Sequence, residues 1–349
     1  MAQYIKPFNG LWMDCITNNL IAMLASENEA FLDIACHLDA IYLKKVYNQS
    51  YSSEEIQQEL LFFGSYFPKI QYSIEMLDKY LFYEIEELDQ YDEIHNIIKS
   101  RIQDGYCVFV TVDRYYYPSG VNSNTSHMIH PTFIYSYNDE IQSYSALEDC
   151  IVMGKMNYYN IPYKSIDLSC EYFKSVGKKI KLSFYKTTEF ARKFTNEIQL
   201  SRLVDSLENM LESGLIYNQG YDLYYHTGLD SLTAFLDELS MFHSLRDEHL
   251  FRVRVFSFCQ YHKRNQDLSN LISKCYGIKT DVLKSFYSEL ESEWTILKNM
   301  SYYILVKKRL KGLDINDMDI ERMKASLSRI IHLEQKTAEN MILLCKGLE

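Results

Sequence analysis

Apolar positions recur at helical spacing over roughly the first hundred residues, merge into extended runs over about the next eighty, and return to helical spacing thereafter. The first stretch predicts helices over about Cys15 to Leu24 and Asn28 to Val46. Ser52-Ser53-Glu54-Glu55 reads as a capped helix start leading into Leu61, because hydroxyls followed by acids can satisfy the free N–H groups of a first turn. A turn at Gly64 to Pro68 precedes helical stretches at Ser73 to Lys79 and Asp92 to Gln103, and Asp104-Gly105 ends the last of them.

The run Cys107-Val108-Phe109-Val110-Thr111-Val112 is rich in β-branched and aromatic residues and predicts a buried strand. Ile129 to Tyr137 and Gln142 to Leu147 read as a pair joined by the turn Asn138-Asp139-Glu140. Ile151-Val152-Met153 and Lys178 to Tyr185 read as further strands. The layout is α+β, with helices first and the sheet after. From about Thr195 the chain reads as almost wholly helical. Ile198, Leu203, Leu207 and Leu211 share one face, and Gly214 is placed to stop that helix. Further helices are expected from Ser231 to Arg246, Asp247 to His262, Asp267 to Tyr276, Thr280 to Lys311 and Asp317 to Leu344. Two domains follow from this reading: residues 1–190, carrying the sheet, and a helical domain over 191–349.

Composition narrows the function classes. A chain of 349 residues, 47% hydrophobic, can bury a sizeable core. The net charge of -11 excludes a general nucleic-acid binder, which needs a concentrated basic face. Two short basic runs, His262-Lys263-Arg264 and Lys307-Lys308-Arg309 with Lys311, read as solvated helix faces or as a patch for an acidic partner protein. Met1 to Asn9 shows no targeting segment, and no apolar run reaches the roughly 18 residues of a membrane span. The expectation is a soluble, cytoplasmic protein with no membrane and no nucleic-acid partner. The 8 Cys residues contain no CxxC pair, which disfavours a zinc site and a disulfide framework.

The candidate chemistry begins at Cys15, in Asp14-Cys15-Ile16-Thr17-Asn18-Asn19-Leu20, where a helix should start with Asp14 as its cap. Backbone N–H groups there stabilise negative charge, so the thiol is expected to ionise readily. His130 sits at the start of a strand, a rigid mount for a general base. Glu148-Asp149 closes the next strand, and either acid could orient the imidazole. Cysteine, then histidine, then acid is the chain order of a papain-like cysteine site. His127, in the loop before His130, competes as the base. Asn9 is a candidate oxyanion donor beside the backbone N–H of Cys15, with Asn18 and Asn19 competing. Asp113 could bind a cationic amine, cap its strand or form an ion pair with Arg114. Tyr115-Tyr116-Tyr117-Pro118 could line an acyl pocket, and the Tyr217 to Tyr225 stretch, with Gly220 and His226, could cover a cleft.

Three segments together resemble a known family. Asp14-Cys15-Ile16-Thr17-Asn18, Val110-Thr111-Val112-Asp113-Arg114-Tyr115-Tyr116-Tyr117-Pro118, and His130 leading into Phe133-Ile134-Tyr135-Ser136-Tyr137 are similar to the N-terminal domain of the butirosin-biosynthesis protein H family, over roughly residues 8 to 155. Ser136 stands where that family usually has Gly. The resemblance implies a C39-peptidase-like, papain-like fold followed by a helical C-terminal domain. It also implies a cysteine-dependent acyltransferase that forms an amide in antibiotic biosynthesis, as the similar closthioamide amide synthase does. Cys15 would take an acyl group from the phosphopantetheine arm of an acyl or peptidyl carrier protein, His130 would deprotonate Cys15 and then a small amine or polyamine, and Glu148 or Asp149 would orient His130. No bound cofactor is implied. Aminolysis of a thioester runs downhill, so positioning the amine and excluding water suffice. A cysteine peptidase or amidase, and an inactive scaffold of the same fold, are the alternatives.

Overall fold

The computed structural model describes residues 4–46, 67–88, 91–195, 197–218, 223–239, 248–312 and 315–348. In chain order the elements are α1 (Cys15–Glu27), β1 (Ala40–Lys45), β2 (Lys69–Tyr72), β3 (Leu81–Leu88), α2 (Ile94–Gln103), β4 (Cys107–Asp113), β5 (Ile129–Asn138), β6 (Ser143–Glu148), β7 (Asn157–Pro162), α3 (Tyr163–Ser175) and β8 (Ile180–Thr187). They continue with α4 (Leu200–Glu212), β9 (Gly214–Asn218), β10 (Leu223–Thr227), α5 (Leu229–Asp237), α6 (Glu248–Tyr276), α7 (Asp281–Lys311) and α8 (Asp317–Lys346). The chain is α+β with antiparallel sheets, and it forms two compact units, Met1–Ala35 with Ile74–Asn196, and Cys36–Ser73 with Glu197–Glu349.

The first unit is built on a 6-stranded sheet in the order β3-β8-β4-β5-β6-β7. β4 is apolar along nearly its whole length because it is central and covered on both faces. Val108, Val110 and Val112 join Ile94 and Ile98 of α2 and Ile166 and Phe173 of α3 in one core. Phe109 and Phe133, out of phase with that set, pack on each other with ring centroids 5.1 Å apart. Helix α1 packs against β5 and β8. The ladder places Val112 opposite His130 and Asp113 opposite Ile129. It also places Phe133 opposite Leu147, so the start of β5 and the end of β6 come together.

The second unit carries a 4-stranded antiparallel sheet, β2-β1-β10-β9, with α4 to α8. Its core contains a buried carboxylate. Glu334 accepts from the Tyr42 hydroxyl at 3.1 Å and from Trp294 Nε1 at 3.1 Å, and His262 Nε2 lies 2.9 Å from it. Phe258 stacks on Trp294 at 4.1 Å, which seals the acid from water.

Several expected elements differ. Asn28 to Val46 is not one helix: a 3-10 segment over Glu29–Cys36 leads to β1, since Ala40 to Lys45 finds partners in β2 and β10. That pairing draws Cys36–Ser73 out of the expected 1–190 domain and into the second unit. Between Ser73 and Lys79 only Glu75–Leu77 is helical, as a 3-10 turn, and β3 follows unforeseen. Ile151 to Met153 is turn, while β7 and α3 were not anticipated. The helical half also holds the hairpin β9–β10, and α6 runs unbroken through the gap expected between His262 and Asp267. The capped segment Ser52 to Leu61, Gly64, Gly220 and the end of the Ser231 to Arg246 helix lie outside the described residues.

Two substitutions probe the second unit. Gly228 has φ +57, and a Cβ there would meet Met210 O at 2.3 Å, so Gly228→Ala should lower stability by about 2 kcal/mol or more in urea unfolding. Glu334→Leu strands the Tyr42 and Trp294 donors in the core and should cost about 3–5 kcal/mol, with a smaller loss for Glu334→Gln.

Candidate active site

Helix α1 starts at Cys15 because Asp14 caps it: Oδ1 accepts from Thr17 N and Oδ2 from Thr17 Oγ1, each at 2.7 Å. The loop before the cap is held by Asn18, whose Nδ2 donates to Phe8 O and Leu11 O while Oδ1 accepts from Met13 N at 3.0 Å. That use takes the whole Asn18 side chain, so it is a staple and not an oxyanion donor. Asn9 makes a reciprocal pair with the Met156 backbone, both bonds 2.8 Å, which ties the loop to the chain entering β7. Asn19, one turn after Cys15 on the helix, is buried with an unpartnered Oδ1.

The ends of β4 and β6 and the start of β5 converge on Arg114, which the sequence reading weighed only as an ion-pair partner of Asp113. It is buried, 1% exposed, and its Nη2 donates to Glu148 Oε2 and to Asp149 Oδ1 and lies 3.3 Å from His130 Nε2. His130 Nε2 thus faces the guanidinium edge. Nδ1 faces Glu148 Oε1 at 3.8 Å, too long for a hydrogen bond. The Tyr117 hydroxyl donates to the same Oε1 at 3.0 Å and also bonds Thr132 Oγ1. Asp149 Oδ2 accepts from Gly154 N at 3.2 Å.

Glu148 is therefore the acid on the His130 side, and Asp149 joins Arg114 to the following turn. Strand alternation would send the two acids to opposite faces, but β6 ends at Glu148, so Asp149 is free of that rule. The signal available in the sequence was a lone Arg directly after a buried strand, with paired acids closing a strand two places away in the sheet.

Electrostatics reverse the expectation for the thiol. Burial raises the Cys15 pKa well above its usual value, and Asp14, Asp149 and Glu148 add to the rise, with only Arg114 opposing. The carboxylates and the loss of water outweigh the helix terminus. Burial lowers the His130 pKa; Arg114 lowers it further, against Glu148 and Asp149. Burial opposes the Arg114 charge, yet Glu148 and Asp149 hold its pKa above the ordinary guanidinium value. At neutral pH the site rests as a thiol and a neutral imidazole around a charged Arg114–Glu148–Asp149 cluster. Both Cys15 and His130 feel all three members of that cluster, although no hydrogen bond joins the two.

The remaining candidates assemble elsewhere. Asp113 is fully buried, and its Oδ1 accepts from Tyr115 N at 3.0 Å and Met128 N at 2.9 Å. Its Oδ2 takes His127 Nδ1 at 2.6 Å. It is a strand-end cap rather than an amine-binding carboxylate, and Arg114 pairs with Glu148 and Asp149 instead of with it. His127 is stacked between Tyr115 and Tyr172, each at 4.4 Å, with Tyr116 edge-on to Tyr115. Tyr115 and Tyr116 thus belong to the His127 cluster, and Tyr117 is the member of that trio that reaches the cluster around Arg114. The Tyr217 to Tyr225 stretch supplies β9 and β10.

No family model matches the chain. An alignment 157 residues long that covers 42% of the chain is 27% identical to the ATP-dependent permease AUS1 of Saccharomyces cerevisiae. The chain spans 11% of that relative's length, so the likeness assigns no family and no activity. Among the described residues no helix is long and apolar enough to cross a membrane, and no group of His, Cys, Asp and Glu is placed to hold a metal ion.

Arg114 lowers the pKa of both Cys15 and His130, so removing its charge raises both. In Arg114→Gln, the pH profile of Cys15 alkylation should move to more alkaline pH and the His130 ring titration, followed by NMR, should move up. The same change leaves two buried carboxylates unpaired and should cost about 3–5 kcal/mol in denaturant unfolding.

Proposed function

We propose that the first unit is a papain-like, C39-like cysteine acyltransferase that moves an acyl group from a carrier-protein thioester through Cys15 to an amine, in natural-product assembly. The observation that carries this reading is that His130, at the start of β5, faces Glu148 through Nδ1, and that Cys15, at the start of α1, and His130 both feel the charges of Arg114, Glu148 and Asp149. In the first step Cys15 Sγ attacks the thioester carbonyl as His130 Nε2 takes the thiol proton. The pantetheine sulfur leaves and receives that proton, and the acyl group remains on Cys15. In the second step the amine attacks the new thioester, His130 takes a proton from nitrogen, and Cys15 leaves with it as a thiol. Atoms balance without ATP, aminolysis of the thioester is downhill, and keeping water out prevents competing hydrolysis.

Each step needs Nε2, which lies 3.3 Å from Arg114 Nη2. The raised thiol pKa fits a site where the proton moves during attack and the resting thiol resists oxidation. An inactive scaffold draws on the same two facts, since a base beside arginine and a reluctant thiol also describe an idle site. A peptidase or amidase would use the same residues on a peptide without a carrier.

Intact-protein mass spectrometry separates these readings. After incubation with a panel of acyl-pantetheine thioesters, the wild type should gain one acyl mass, Cys15→Ala should gain none, and His130→Ala should acylate about 10²–10⁴-fold more slowly. Absence of any adduct, with Cys15 no more reactive to iodoacetamide than the other thiols at any pH, would favour the scaffold. Cleavage of a peptide panel without thioester turnover would favour the peptidase.

A further inference from the structure

Helix α7 carries an outward face that the second unit leaves uncovered. Ile296, Tyr303 and Leu310 are 47%, 65% and 71% exposed and are spaced by whole heptads, so they form one stripe about 21 Å long. The inward face is ordinary core: Trp294, Leu297, Ile304 and Leu305 are buried. Lys307 and Lys311 flank the stripe, at i+4 and i+8 from Tyr303, and among the described residues neither has a hydrogen-bond or ion-pair partner. Between Glu293 and Asp314 the chain contains no acidic residue, although its net charge is -11. Cations in a last helical turn also complement the helix dipole, but that leaves the apolar stripe without a purpose.

We propose that this face docks an acidic, amphipathic helix of the carrier protein, an inference that rests on the acyl-transfer reading. An exposed apolar stripe along a helix is a face that a second helix can lie against, and unpaired lysines beside it select acids on the partner. Over residues 294–313 a second copy carries no acid of its own, and the nearest on the same heptad line is Glu289, so self-association by analytical ultracentrifugation that is lost in Leu310→Glu would overturn the carrier-helix occupant. Docking of this kind steers encounter and leaves the chemistry at Cys15 untouched.

The test compares two donors for Cys15 acylation, octanoyl-pantetheine and an acidic acyl carrier protein bearing octanoyl-phosphopantetheine. Lys307→Glu with Lys311→Glu, and separately Leu310→Glu, should lower kcat/KM for the carrier donor by about tenfold or more and leave the pantetheine donor unchanged. Rising salt should slow the carrier donor alone. Equal rates for wild type and variants with the carrier donor would overturn the docking face. Failure of octanoyl-pantetheine to acylate wild type would instead overturn the acyl-transfer reading. The docking face would then be judged by fluorescence anisotropy of labelled carrier protein, where binding lost in the lysine variants supports it and unchanged or absent binding refutes it. Binding to anionic phosphatidylglycerol vesicles that is lost in the same variants, with carrier rates unaltered, would make this a membrane face and refute the proposal.

Discussion

Burial of the Arg114 guanidinium is the constraint on which the first unit's site depends. A cation stripped of water is costly unless carboxylates meet it, and Glu148 and Asp149 do so from one strand end and the turn beyond it. The cluster is cationic once and anionic twice, so its excess negative charge spills onto its neighbours. Burial holds Cys15 as a thiol, with Asp14, Asp149 and Glu148 adding to it, and burial holds His130 neutral, with Arg114 adding to it against the two acids. Loss of water, adjusted by one ion network, therefore sets the protonation state of both groups that any cysteine chemistry would use.

The sheet supplies the rigidity this arrangement needs. Arg114 follows β4, His130 opens β5 and Glu148 closes β6, so hydrogen-bonded ladders set their spacing and no side chain has to reach far. Thr132 on β5 and Tyr117, just past the 3-10 turn after β4, close the cluster. Asp113 and Arg114 are neighbours in sequence but serve different groups, the first capping the turn toward His127 and the second gathering Glu148, Asp149 and His130. The second unit uses the same physics in a helical setting, where a buried Glu334 is tolerated because Tyr42, Trp294 and His262 surround it.

The sequence by itself determined the α+β class, the central strand through Val108 and Val112, the two last helices almost to the residue, and a helix beginning at Cys15 under an Asp14 cap. These are local properties: apolar period, β-branching and capping chemistry act within a few residues. It also set out Cys15, His130 and the two acids as a group, because their order along the chain is visible without a fold. The rest was decided by tertiary structure. Ala40 to Lys45 carries no signal that tells strand from helix until β2 and β10 pair with it, and β9 and β10 become strands for the same reason. Which acid serves His130, the capture of Asp113 by His127, and the ionisation of Cys15 depend on charges and solvent exclusion contributed by residues far apart in the chain. Arg114 was unreadable as a hub for the same physical reason: a lone arginine has no local pattern, and its meaning arises only where folding removes water and leaves it two carboxylates.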